Sequence, residues 1–128
     1  MCWISNVPVN CIITKDNIKV YKIFNKNVEG QLISPIYDFK WEIGKLYVEN
    51  DIPNYPSSVI NKGFHSLKTT PIRCFGYWWN RSYRNLPLLA DRCHFVCVCE
   101  IPKGSIYFEN KYKEVVSNKL IVKYVLEI

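Results

Sequence analysis

The nine residues Cys93-His94-Phe95-Val96-Cys97-Val98-Cys99-Glu100-Ile101 constrain this chain more than any other feature. At the period of two of an extended strand, Cys93, Phe95, Cys97, Cys99 and Ile101 share one face. The other face is also largely apolar. A strand apolar on both sides belongs in the middle of a sheet, with neighbours on each edge and packing above and below. The rest of the chain must supply those neighbours.

It does so in short pieces. Ile18 to Phe24 alternates like a strand, and turn residues Asn25 to Gly30 lead into Gln31 to Ser34, which suggests a hairpin. Phe39 to Val48, with Gly44 inside, reads as a short strand pair or a bulged strand, followed by a Pro- and Ser-rich loop from Asp51 to Ser58. Lys62 to Leu67 reads as a strand leading to Thr69-Thr70-Pro71, where a threonine cap before proline marks a helix start. Pro102 to Ser105 turns the chain, Ile106 to Phe108 begins another strand, and Lys119 to Ile128 forms the last. Residues 1–17 read as an irregular N-terminal arm. The expected architecture is one domain over 1–128, α+β, mainly a twisted antiparallel β-sheet with one short central helix.

With 48% hydrophobic and 15% aromatic residues, the chain can build a real core. Its apolar runs are too short and too interrupted by charge to span a membrane, and the start lacks a signal-peptide pattern, so a cytoplasmic protein with free thiols is expected. The cluster Cys93-His94-x-x-Cys97-x-Cys99 invites a zinc reading. The shared strand face and the missing second ligand pair favour buried thiols, so neither metal nor cofactor is expected.

Charge is unevenly distributed. No acidic residue lies between Asp51 and Asp91, while Lys62, Lys68, Arg73, Arg81 and Arg84 do, which places five of the net +6 charges there. Tyr77, Trp78, Trp79 and Tyr83 interleave with these arginines, a mixture suited to gripping something anionic and flat. His65 follows Gly63, where backbone can approach a ligand closely. No phosphate loop, zinc-protease helix, paired-carboxylate motif or serine elbow is present.

The motif order Val20-Tyr21-Lys22, Trp41-Glu42-Ile43-Gly44-Lys45, Gly63-Phe64-His65-Ser66, Glu100-Ile101-Pro102-Lys103-Gly104-Ser105 and Val115-Val116-Ser117-Asn118-Lys119 resembles a loose group of small uncharacterised phage and gut-bacterial proteins. More distantly it is similar to the ADP-ribosyltransferase-like fold. That likeness implies catalytic positions at Tyr21, His65 and Glu114, with Ser66 beside them. Tyr21 lacks a following arginine, Leu67 follows Ser66 where a Ser-Thr-Ser run is usual, and Tyr112 stands two residues before Glu114. These departures point to a nucleotide-sized cleft that binds without transferring.

The expected function is therefore non-catalytic binding of a small anionic ligand, a nucleotide or ADP-ribose derivative, with sequestration of an immune signalling molecule as its anti-defence use. The expected contacts are Tyr21, Lys22, Phe64, His65, Ser66, Trp78, Trp79, Arg81 and Arg84. A degenerate transferase or nucleotide-cleaving enzyme is the alternative, and an inhibitor of an acidic host protein or a nucleic-acid binder is another. A homodimer also fits the aromatic content.

Overall fold

The structure, a computed structural model, describes residues 3–26, 29–33, 39–60, 62–70 and 94–126. Within them lie twelve strands: β1 (Trp3–Val9), β2 (Ile12–Ile13), β3 (Ile18–Lys26), β4 (Leu32–Ile33), β5 (Lys40–Trp41), β6 (Leu46–Val48), β7 (Ser57–Ile60), β8 (Phe64–Leu67), β9 (His94–Ile101), β10 (Ile106–Glu109), β11 (Glu114–Ser117) and β12 (Lys119–Val125). Ten of these form one sheet in the order β2-β10-β11-β8-β3-β9-β12-β6, with β4 on β3 and β5 on β4, while β1 and β7 form a separate pair. All the pairings are antiparallel.

The expected α+β class with a short central helix is corrected: the described residues hold no helix, only antiparallel strands. A Thr-Thr-Pro cap supplies one favourable end contact, whereas a helix is stabilised chiefly by packing an apolar face. The residues expected to form its body, from Pro71 onward, lie outside the described set. The irregular arm over 1–17 is corrected too, because β1 and β2 both lie there. Pro8 hid β1 from a propensity reading. Lacking an N–H, proline is tolerated where a strand has one paired side, and among the described strands β1 pairs with β7 alone, its register shifting between Ile4 and Val9.

Strand β9 is central, as its two apolar faces demand. It pairs along its full length with β3, from Ile18↔Ile101 to Asn25↔His94, and on its other edge with β12. The inner face of the sheet forms the main core: Val20 and Phe24 of β3, Cys97, Cys99 and Ile101 of β9, Leu120 and Val122 of β12, Val115 of β11, Tyr107 of β10, Leu32 and Trp41. On the outer face, Phe108 and Val116 pack with Ile52 and Ile60, and Val9 of β1 joins them. Thus the β1–β7 pair covers one end of that face.

The Pro102–Ser105 turn and Gly63 both serve the fold. Thr14 Oγ1 donates to the Pro102 carbonyl at 2.9 Å and accepts from Ser105 N–H at 3.0 Å, and Asn17 Oδ1 accepts from Lys103 N–H at 2.8 Å. The Pro102–Ser105 turn is thereby tied to the chain before β3. Gly63 has φ +123°, and a Cβ there would lie 2.5 Å from Val116 Cγ2 and 3.2 Å from the Ser117 carbonyl oxygen. Its small size lets backbone approach β11, and that close approach explains the glycine without a ligand.

Candidate functional site

Sheet register separates the expected ligand contacts into two sets. Tyr21 is opposite Leu67, and Leu67 opposite Glu114, so these three share one face across β3, β8 and β11. His65, two residues from Leu67 and opposite Val116, lies on that same outer face. Lys22, Phe64 and Ser66 alternate to the inner face, with Lys22 opposite Cys97 and Ser66 opposite Val115 of the main core. A single small ligand cannot contact both sets through the sheet.

The outer row brings together the three residues expected for catalysis, Tyr21, His65 and Glu114, but gives two of them other work. Burial, with the Lys22 ammonium adding to it, pushes the His65 imidazole down to about 3. It is neutral at physiological pH and too weak a base to gather protons there. Glu114 belongs to the β10–β11 hairpin, where its Oε1 accepts from Asn110 Nδ2 at 3.0 Å. Asn110 Oδ1 in turn accepts the N–H groups of Tyr112 and Glu114 at 3.0 and 3.1 Å. Glu114 to Ser117 form strand β11, with Ser117 fully buried. Its two central valines serve the two cores, Val115 inward and Val116 outward.

The inner set surrounds a fork in the sheet. β8 meets β3 at one pair, Tyr21↔Leu67, after which β4 takes over the edge of β3 at Asn25↔Ile33 and Lys26↔Leu32. Lys22 bridges the fork: its Nζ donates to the His65 carbonyl at 2.7 Å and lies 5.8 and 5.9 Å from the ring centroids of Phe24 and Trp41. Ser66 is buried, and its hydroxyl finds no hydrogen-bond partner among the described residues. Asn25 is buried as well, and neither of its amide atoms has a partner among them.

The basic run is partly neutralised by carboxylates distant in sequence or at its own border. Lys62 pairs with Asp51 at 2.8 Å and Lys68 with Glu109 at 3.4 Å. Trp78, Trp79, Arg81 and Arg84, with Arg73, lie outside the described residues. Of the cysteine cluster, Cys97 and Cys99 are buried, and burial pushes the Cys97 thiol up to about 12. Such a thiol is neither nucleophile nor ready metal ligand. Among the described residues no three His, Cys, Asp or Glu side chains gather as metal ligands do.

What sequence reasoning missed is a surface depression of about 610 Å³ between the β3–β4 hairpin and the β5–β6 turn. Phe39, Trp41 and Tyr47 give it aromatic walls, and Lys40, Lys45, Glu42 and Gln31 give it polar groups. Trp41 is the hub of the rings, 5.0 Å from Phe39, 4.6 Å from Tyr47, 5.4 Å from Phe64 and 5.5 Å from Phe24. Phe64 and Lys22 therefore support the depression from behind, through Trp41. Phe39 remains 46% exposed, and the Lys45 ammonium lies 5.2 Å from the Tyr47 ring centroid.

The turn carrying Glu42 and Lys45 is held at several points. The Glu42 N–H donates to the Tyr47 hydroxyl at 2.7 Å, and the Gly44 N–H to the Val122 carbonyl at 2.8 Å. Gly44 has φ +84°, a left-handed conformation that glycine adopts at no steric cost. The signal was present in Phe39-Lys40-Trp41 and Lys45-Leu46-Tyr47, where aromatic and basic residues alternate. β5 and β6 do not pair with each other; β5 joins β4 and β6 joins β12, and that arrangement opens the depression between them. No family model, curated protein or solved structure matches the chain.

Proposed function

We propose that this protein is a non-catalytic binding module that captures a small, flat, anionic ligand of nucleotide type in the depression between β4, β5 and β6. The observation that carries the reading is the pairing of an aromatic wall, Phe39, Trp41 and Tyr47, with two exposed lysines, Lys40 and Lys45, around about 610 Å³. Ligand sites commonly measure about 300–1,000 Å³ and combine an apolar lining with a few convergent polar groups. Ring faces offer stacking surface, and ammonium groups offer charge for a phosphate. Capture without turnover agrees with a neutral His65 and a Glu114 held within a hairpin. Sequestration of a signalling nucleotide, the use suggested by the phage-type motif order, requires affinity and slow release alone.

The test is a thermal-shift and calorimetric screen of the full chain against mononucleotides, ADP-ribose, cyclic dinucleotides and a short single-stranded oligonucleotide. A ligand at about 100 times its Kd adds about 2.7 kcal/mol, which raises Tm by several degrees for a domain this size. Phe39→Ala and the double change Lys40→Ala with Lys45→Ala should each weaken binding by about tenfold or more. A ligand whose affinity ignores both changes binds elsewhere and overturns the placement. Binding confined to the oligonucleotide, falling steeply with salt, makes the module a nucleic-acid binder.

A further inference from the structure

Building on that placement, we infer that the depression selects bases carrying an exocyclic amino group, so that its ligand is an adenine, guanine or cytosine nucleotide. Among the described residues that line the depression, Glu42 supplies the one carboxylate. The other charged groups among those described residues, Lys40 and Lys45, are both cationic. A purely anionic ligand gains from the lysines and is repelled by Glu42. A ligand with N–H donors at one end and phosphate at the other uses all three groups.

The position of Glu42 is set by the fold. Its backbone is anchored between β5, where it follows the buried Trp41, and the Tyr47 hydroxyl that accepts its N–H at 2.7 Å. The turn is further tied to β12 through the Gly44 N–H. Glu42 thus lines the depression beside the aromatic residues from a braced turn. A base stacked on Phe39 or Tyr47 would present its edge near this turn, where a carboxylate accepts from an amino group as acidic residues do from the cytosine amine. An anchored acceptor discriminates by what a donor supplies and by the repulsion it exerts on a carbonyl oxygen at the same place. A hydrogen bond to a charged group corresponds to about tenfold or more in affinity.

Two ligand pairs isolate that interaction: cytidine against uridine 5′-monophosphate, and adenosine against inosine 5′-monophosphate. Within each pair, an amino group is exchanged for a carbonyl oxygen. Calorimetry on the full chain should find the amino member of each pair bound at least about tenfold more tightly, and Glu42→Ala, an exposed turn change, should abolish that preference by weakening the adenosine and cytidine members while the inosine and uridine members, freed of the carboxylate's repulsion, bind at least as tightly as before. Equal affinity within both pairs, still lost in Phe39→Ala, overturns the selectivity and leaves the binding site standing. A preference that survives Glu42→Ala overturns the role of Glu42. No binding of any of the four overturns the site and the selectivity together.

Discussion

The outer row of Tyr21, His65 and Glu114 and the depression around Trp41 draw on the same residue chemistry for opposite ends. In the row, the residues that look reactive are absorbed by the fold: His65 is neutral and partly buried, and Glu114 braces a hairpin. In the depression, Phe39, Lys40 and Lys45, residues that look like ordinary sheet material, stay accessible over the buried Trp41 because β5 and β6 take different partners. Residue type alone therefore misleads. A histidine or glutamate is reactive only where its environment leaves it a proton to exchange, and an aromatic pair binds only where the sheet leaves it uncovered.

The largest effect expected from this contrast is at acid pH. His65 has its proton affinity depressed from the usual 6.5 to about 3 in the folded chain, so above pH 6.5 it is neutral whether folded or unfolded. As pH falls below 6.5 the unfolded chain takes up the proton first. Folding stability should then drop by about 1.4 kcal/mol per pH unit down to about pH 3, on the order of 5 kcal/mol in all. Urea melts of the native chain and His65→Leu across this window should diverge by that slope, and an NMR titration should place the imidazole below pH 4. A midpoint near 6.5 would return His65 to the list of reactive groups and break the contrast.

Next in size is Trp41→Ala, which removes the hub shared by the core and the depression. It should cost about 3–5 kcal/mol by chemical denaturation. A loss under about 1 kcal/mol would show the depression to be energetically separate from the core. The smallest effect sharpens the other side of the comparison: Lys45→Ala, on an exposed turn, should change stability by less than about 0.5 kcal/mol while weakening ligand binding. A larger destabilisation would mean that this lysine, like Lys22, serves the fold.

Most strands were legible, because alternation and turn residues are local signals. The course of β3, β9 and β12, and the turn at Pro102 to Ser105, follow from them. β11 was missed because Asn110, Lys113 and Asn118 around it carry turn chemistry, and its burial depends on β8 and β10 lying on either side. The contact set Tyr21, Lys22, Phe64, His65 and Ser66 was assembled from sequence neighbours, yet neighbours on a strand face opposite ways.

By itself the sequence determined a strand-rich chain with a central, doubly apolar β9, a basic run and cysteines on one face of that strand, since each depends on spacing or composition along a few residues. Tertiary structure decided which carboxylates meet Lys62 and Lys68, which histidine is kept neutral, and where aromatic rings remain open. Those outcomes depend on register between strands far apart in the chain, and burial and Coulomb interactions act across that register through space.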